Sequence, residues 1–151
     1  DTPERLLAHP HTLQVAKLMA APALNLVALE DSAVLPAGCQ LAIRATALCP
    51  VAAEAAHSLP VQVLGSRHLV GGMLYRARLL EAVSLPLESG RASADSELSA
   101  RMYARVRASQ ELEFFIPDAQ GGASLSVGDR VHLGVAAERC FLFSKGKRFY
   151  L

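Results

Sequence analysis

Aromatic residues are scarce in this 151-residue chain: they make up 5% of it, and there is no tryptophan. Proteins that bind single-stranded nucleic acid stack the bases on exposed aromatic side chains, so this scarcity argues against that class. The formal net charge is +1, so the chain as a whole carries no large positive excess that would attract nucleic acid or an anionic membrane. Hydrophobic residues make up 52% of the chain, which is enough to bury a substantial core.

Motifs for nucleotide and metal chemistry are also missing. A phosphate-binding loop reads GxxxxGK followed by Ser or Thr, but Gly146 and Lys147 are followed by Arg148, and Phe141 stands where the first glycine belongs. No histidine lies in a catalytic motif, and His132 is expected to be a solvated strand residue. No CxxC pair and no zinc-ligand spacing occurs, so free, buried thiols in a reducing cytosol are expected for the cysteines Cys39, Cys49 and Cys140.

Long apolar runs are absent as well. The longest, Leu18–Leu29, is interrupted by Pro22 and Asn25 and is too short to span a bilayer. No secretory signal is visible. The first residue is Asp1 rather than Met, so we expect the chain to be processed or to be part of a longer protein.

What the sequence does contain is an alternation of apolar and polar residues with period two. It runs through the segments GMLYRARLL, RMYARVR, ELEFFIP and RVHLGVA, which are separated by breakers rich in glycine. Strict alternation predicts half-buried antiparallel strands, and many short strands with glycine turns predict a small barrel or sandwich. In the last segment Val131, Leu133 and Val135 are expected to face the core, which Leu142 or Phe143 would close.

The remaining segments predict helices and loops. Thr2 and Thr12 are placed to cap two short helices, and Pro22 ends the second of them. Residues 51–58 predict a short helical turn or a linker, and the polar residues 88–99 predict a surface loop.

Arginines recur on the polar sides of two predicted strands, and two interpretations remain open. If the strands pair, the arginines would line one sheet face and hold an anion or single-stranded nucleic acid. Otherwise the sheet simply turns its polar side to water. The residues concerned are Arg76, Arg78, Arg101, Arg105 and Arg107.

Two closing segments carry a family resemblance. ERCFLF (Glu138–Phe143), preceded by GDRVHLGV (Gly128–Val135), resembles the close of the C-terminal TOBE region in ATP-binding subunits of ABC importers, especially the maltose/sugar type. That family usually closes with a Gly-Asp pair, a strand, and then Pro/Ala-Glu-Arg-Cys/Leu-His-Leu-Phe.

Other segments follow the same family in order. The first nineteen residues are similar to the helical end of the ATPase domain, with matches at Pro3, Glu4, Pro10, Val15 and Ala16. APALNL (Ala21–Leu26) resembles the Ser-Pro-x-Met-Asn-Phe connection that opens the TOBE region. LAIRATAL (Leu41–Leu48) resembles a Gly-Ile-Arg-Pro-Glu-x-Leu strand, and Val61–Leu79 resembles the hairpin that follows it.

The chain also departs from the family pattern. Ala45 and Thr46 replace the Pro and Glu after Arg44, so any contact of that glutamate is lost, and Phe141 replaces a histidine. Leu80–Ser109 is extra sequence within the last sheet. The Walker A, signature and Walker B motifs of the ATPase are missing.

The resemblance implies a mainly β fold: an OB-like small barrel or sandwich of tandem TOBE-type halves, preceded by a short helical segment. Residues 1–21 would be the helical tail of an absent nucleotide-binding domain, and residues 22–151 the TOBE/OB-like domain. This chain would not be an enzyme and would hold no cofactor, since ATP and Mg would bind the full-length subunit.

The implied function is dimerisation and regulation of an importer. Its partners would be a second copy of the subunit, the transmembrane permease subunits through the missing ATPase domain, and a cytoplasmic regulator, but no nucleic acid. The location would be cytoplasmic, peripheral on the inner membrane. Sugar or glycerol phosphate is the favoured cargo, although iron, polyamine and phosphonate importers carry related tails. Candidate interface or regulatory residues are Arg44, Glu138, Arg139 and Phe141.

Two alternatives stay open. The first is a small-oxyanion-binding TOBE module of the molybdate type, but its usual Ser-Ala-Arg-Asn start is matched only by Ser99–Arg101, which continues with Met102. The second is an OB-type nucleic-acid-binding domain, which would need a basic groove with exposed aromatic residues.

Overall fold

The computed structural model describes residues 23–30, 35, 38–87, 102–118, 125–135, 139–144 and 147–148. These residues form β-strands joined by turns, and Ala45–Ala47 form a short 3-10 helix. The strands in chain order are β1 (Leu24–Ala28), β2 (Gln40–Arg44), β3 (Cys49–Val51), β4 (Leu59–Leu69), β5 (Gly72–Leu79), β6 (Val83–Leu87), β7 (Met102–Val106), β8 (Glu111–Pro117), β9 (Arg130–Gly134), β10 (Cys140–Ser144) and β11 (Lys147–Arg148).

The strands assemble into three sheets. A four-stranded sheet has the order β1-β2-β10-β11, a five-stranded sheet has the order β3-β9-β4-β5-β8, and β6 pairs with β7 alone. The fold is therefore mainly β, as predicted, and is consistent with a small OB-like sandwich. Among the described residues the backbone ladders do not close into a complete barrel.

The alternation in the sequence places the side chains as predicted. On β5 Tyr75, Ala77 and Leu79 are buried, whereas Arg76 and Arg78 are exposed. Leu112 and Phe114 of β8 enter the same core, and the Tyr75 and Phe114 rings stack with centroids 5.2 Å apart. Period-two patterns thus identify the inward face of each of these strands.

The closing segment forms two strands that belong to different sheets. Leu133 of β9 is fully buried in the main core, and Val131 and Val135 pack against that core. Leu142 of β10 joins the same core, so the predicted inward face is confirmed. Phe143 instead points to the opposite side of the four-stranded sheet, into a second apolar cluster.

The predicted hairpin at Val61–Leu79 is present as β4 and β5. Its turn is Val70–Gly71, and Gly71 has a φ of +89°, which glycine adopts without a Cβ penalty. The next residue, Gly72, is pressed against β8, because a Cβ there would lie 2.3 Å from the carbonyl oxygen of Ile116. Glycine is therefore required here by close backbone approach.

The extra sequence Leu80–Ser109 contains β6 and β7, which form their own sheet instead of extending the last one. It is not a surface appendage, because Leu85, Ala104 and Val106 are buried in the main core. Backbone bonds also tie it to the end of β1, since the Glu30 N–H donates to the Arg105 carbonyl over 2.8 Å.

Several predictions fall on the remaining parts of the chain. The helices predicted before Pro22 and the loop predicted over residues 88–99 lie outside the described residues. In residues 51–58, Val51 ends β3 and residues 53–57 form turns and a bend, with the Ala55 N–H donating to the Ala52 carbonyl over 3.0 Å, so the segment contains a short turn and no regular helix. His57 in this linker has a φ of +58°.

Candidate functional site

The predicted interface residues come together at one end of the four-stranded sheet. Antiparallel pairing of β2 with β10 sets Ile43 opposite Cys140 and Ala42 opposite Phe141. Arg44 therefore ends β2 beside the point where Arg139 leads into β10. We call Arg44, Arg139 and Phe141 the arginine corner. The fourth predicted residue, Glu138, lies outside the described residues.

Within the arginine corner, the guanidinium of Arg44 lies on the ring of Phe141. The guanidinium carbon is 5.4 Å from the ring centroid, within the range of a cation–π interaction. Phe141 is 4% exposed, so its ring is a buried platform that fixes the orientation of the arginine. A planar, pre-oriented guanidinium is suited to bidentate binding of a carboxylate.

The two arginines make this corner positive. Burial lowers the pKa of the Arg44 guanidinium, and the neighbouring charge of Arg139 lowers that pKa further. An arginine nevertheless stays protonated at neutral pH. Neither arginine is suited to nucleophilic or proton-transfer chemistry.

Two phenylalanines of β10, Phe141 and Phe143, are buried, which limits the surface that the arginine corner exposes to another protein. Phe141 and Phe143 form the second apolar cluster with Ala42, and Leu24 and Leu26 pack against it. Both phenylalanine rings are thus buried within this chain. Arg139 is exposed and remains the accessible member of the corner.

Side-chain amides join the two large sheets where their edge strands β1 and β8 meet. The Asn25 Nδ2 donates to the Glu113 carbonyl and its Oδ1 accepts from the Glu113 N–H, each over 2.7 Å. In the opposite direction, the Gln110 Nε2 donates to the Ala28 carbonyl over 3.0 Å, and its Oε1 accepts from the Ala28 N–H over 2.9 Å. We call these four residues the β1–β8 seam.

Sequence reasoning missed the β1–β8 seam. Asn25 was visible as a polar interruption of an apolar run and as a match to the family's asparagine, but neither observation named its partner; in the structure it is 7% exposed and lies on the inward side of β1 with Val27. A buried polar side chain is expected to be hydrogen-bonded, and that was the one available signal. Gln110 gave no signal, because it precedes β8 in a turn.

The remaining polar groups differ in part from expectation. His132 is half-buried, not simply solvated, and its Nδ1 lies 3.1 Å from the Ser58 Oγ.

Each cysteine carries a thiol, as predicted, but Cys49 is exposed whereas Cys39 is buried. Burial raises the pKa of the Cys39 thiol, a hydrogen bond with the Gln40 backbone opposing part of that rise. No group of three or more His, Cys, Asp or Glu residues in the described part could hold a metal ion.

The arginines of the two predicted strands do not form one basic face. β5 and β7 belong to different sheets, so the pairing on which that idea depended is wrong. Arg76 and Arg78 lie opposite Glu113 and Glu111 on β8. On β7, the Arg105 Nε lies 3.0 Å from a Glu30 carboxylate oxygen. The acidic neighbours remove the main argument for a nucleic-acid-binding surface.

A scan against protein-family models gives no match, and a search of curated proteins gives no significant match. The described residues contain no helix long and apolar enough to cross a bilayer.

Proposed function

We propose that this chain is the C-terminal TOBE-type accessory region of an ABC importer ATP-binding subunit, where it serves dimerisation and regulation. The observation that supports this most is the placement of three separate segments that carry the resemblance. APALNL, LAIRATAL and ERCFLF contribute β1, β2 and β10, which are neighbours in one sheet. Chance matches scattered along a chain have no reason to become adjacent strands.

The chemistry of the matched residues also supports the proposal. Asn25 stands where the family has asparagine, and its amide holds the β1–β8 seam in a way that an apolar residue could not. Arg44 stands where the family has arginine, at the end of β2, and is fixed against Phe141. Both matches thus have a physical use in this chain.

A dimerisation role follows from the arginine corner. In a two-fold contact the same patch serves both partners, so an acidic side chain of one copy would meet the exposed Arg139 of the other. Glu138 is the candidate, since it adjoins Arg139 in sequence. In a full-length subunit such a contact would hold the two ATPase domains together, at the cytoplasmic side of the inner membrane.

The regulatory role and the cargo follow from the resemblance alone. A cytoplasmic regulator would act on this region, the permease subunits would bind the ATPase domain, and ATP with Mg would bind there too. Sugar or glycerol phosphate is the cargo that we favour, ahead of iron, polyamine or phosphonate.

The reading frame that encodes the chain gives a direct test. The proposal requires an ATPase domain with Walker A, signature and Walker B motifs directly before Asp1, and a start codon close to Asp1 would contradict it. Calorimetry of the isolated chain gives a second test. Without a phosphate loop we expect no heat of ATP binding, and micromolar affinity for ATP would overturn the proposal.

A further inference from the structure

A groove lies on the outer face of the five-stranded sheet, across β4, β5 and β8. It is a shallow groove, half open to solvent, with a volume of about 350 Å³. The residues that line it are Gly65, Ser66, Arg67, Leu74, Arg76 and Glu113. None of them belongs to the arginine corner, so this groove is a separate site.

The groove exists because a side chain is missing from the middle of the face. Gly65 pairs with Arg76 across the β4–β5 ladder, next to a register shift that follows Val63. A Cβ on Gly65 would lie 3.9 Å from the Arg76 Nη2, so the guanidinium of Arg76 lies beside the open position. Bulges of this kind re-aim side chains and are common next to binding sites.

The floor and one wall of the groove are held in place. Leu74 is 3% exposed although it faces away from the main core, and so provides a buried apolar floor. The backbone of Glu113 is fixed by two hydrogen bonds with the Asn25 side chain, one accepted by its carbonyl and one donated by its N–H. The Glu113 side chain therefore starts from a rigid position, which is the condition for selective hydrogen bonding.

The charges of the groove determine what it would bind. Among the described residues that line the groove, Arg67 and Arg76 bring two positive charges and Glu113 brings one negative charge, so an anionic group is favoured. A carboxylate or phosphate accepts paired hydrogen bonds from guanidinium groups. Glu113 would repel a ligand that is anionic throughout, but it accepts a hydrogen bond from a hydroxyl group.

We propose that this groove binds a small hydroxylated anion. Arg67 and Arg76 bind its phosphate or carboxylate, and a hydroxyl group donates to Glu113. The site depends only on the geometry of β4, β5 and β8, so it stands or falls independently of the proposed function.

Isothermal titration calorimetry of the purified chain with four probes tests the site. Glycerol 3-phosphate and glycerate supply the two anionic groups with hydroxyls, n-propyl phosphate lacks hydroxyls, and inorganic phosphate lacks the carbon skeleton. We expect a dissociation constant below about 1 mM for at least one hydroxylated probe. Both other probes should bind at least about tenfold more weakly, because neither presents a carbon-bound hydroxyl group to Glu113.

Variants separate this site from unspecific attraction to positive charge. Arg76→Gln should weaken the hydroxylated probe at least about tenfold, since it removes a charged donor. Arg78→Gln is the matched control, because Arg78 lies on the same strand face, opposite Glu111, but does not line the groove. Gly65→Val should fill the open position, and circular dichroism should confirm that this variant folds.

Three results would overturn the proposal. The first is no saturable binding of either hydroxylated probe at about 10 mM, well beyond the expected range. The second is equal weakening by Arg76→Gln and Arg78→Gln, which would mean unspecific charge attraction. The third is equal affinity for n-propyl phosphate and glycerol 3-phosphate, which would remove the role given to Glu113.

Discussion

Truncation of Asn25 is the sharpest test of how the two large sheets are held together. Asn25→Ala removes both hydrogen bonds to the Glu113 backbone. The Glu113 N–H and carbonyl then face the place left by a side chain that is 7% exposed, where water has little access. Leaving a buried donor or acceptor without a partner costs about 1–3 kcal/mol per group. We expect Asn25→Ala to lower the free energy of unfolding by about 2–4 kcal/mol.

The Gln110 side of the β1–β8 seam provides a comparison within the same structure. Gln110 makes the same pair of contacts with the Ala28 backbone, and its Nε2 also donates to the Arg107 carbonyl over 2.7 Å, but these contacts are exposed and water replaces the lost bonds. Gln110→Ala should therefore lower the free energy of unfolding by only about 1–2 kcal/mol, less than Asn25→Ala. Gln62→Ala is a control outside the seam, since its contact with Gly128 is a 3.4 Å bond at the surface, and should cost less than about 0.5 kcal/mol.

The assay is urea unfolding followed by far-ultraviolet circular dichroism, since the chain has no tryptophan for fluorescence. The midpoint should shift while the slope with denaturant stays constant, because the variants change stability and not the surface exposed on unfolding. A loss below about 0.5 kcal/mol for Asn25→Ala would refute the reasoning. Equal losses for Asn25→Ala and Gln110→Ala would also refute it, since burial would then not decide the outcome.

Three further predictions test the core, the hairpin and the thiols. Leu133→Ala should lower the free energy of unfolding by about 2–5 kcal/mol because Leu133 is fully buried, whereas His132→Ala should lower it by about 1 kcal/mol through the lost Ser58 contact. A decrease below about 0.5 kcal/mol for Leu133→Ala on urea unfolding would mean that the faces of β9 are reversed. Gly72→Ala should lower the melting temperature strongly because its Cβ would press on the Ile116 backbone, while Gly65→Ala meets an ordinary contact; equal melting temperatures would contradict this. A thiol reagent near pH 8 should modify Cys49 first and Cys39 last, because Cys39 is buried and its raised pKa leaves a smaller fraction of that thiol as reactive thiolate. Mass spectrometry that finds Cys39 modified first would contradict its buried placement.

The sequence predicts the strands far better than their assembly. Alternation identifies the buried face of β5 because the side-chain period of a strand is a local property, visible in Tyr75, Ala77 and Leu79. Pairing joins residues far apart in the chain, so nothing local shows that β5 lies beside β8 while β7 joins β6. The arginine-lined face failed for this reason: its strands alternate correctly but belong to different sheets.

The same distinction between local pattern and distant pairing applies to the candidate sites. Arg44, Arg139 and Phe141 were selected through family resemblance, and pairing of β2 with β10 does bring them together. The burial of Phe141 could not be read from its neighbours, because both sides of this sheet carry apolar residues. The contacts of Asn25 and Gln110 have no period at all, since a single amide that pairs with a distant backbone leaves no pattern along the chain.

The central claim is that the chain associates through the arginine corner, and Arg139→Glu tests it most directly. This reversal places a carboxylate beside Arg44, so repulsion within one copy becomes attraction and the folded monomer should remain intact. In the dimer, however, the introduced carboxylate of one copy would face the acidic side chain of the other copy that Arg139 is proposed to bind. Arg78→Glu reverses an exposed arginine elsewhere and serves as the control.

Sedimentation equilibrium on wild type, Arg139→Glu and Arg78→Glu decides the matter. We predict a weak monomer–dimer equilibrium for the wild type, the same equilibrium for Arg78→Glu, and association at least about tenfold weaker for Arg139→Glu. Wild-type chain that stays monomeric at every concentration, or a dimer that survives the Arg139 reversal unchanged, would contradict the account.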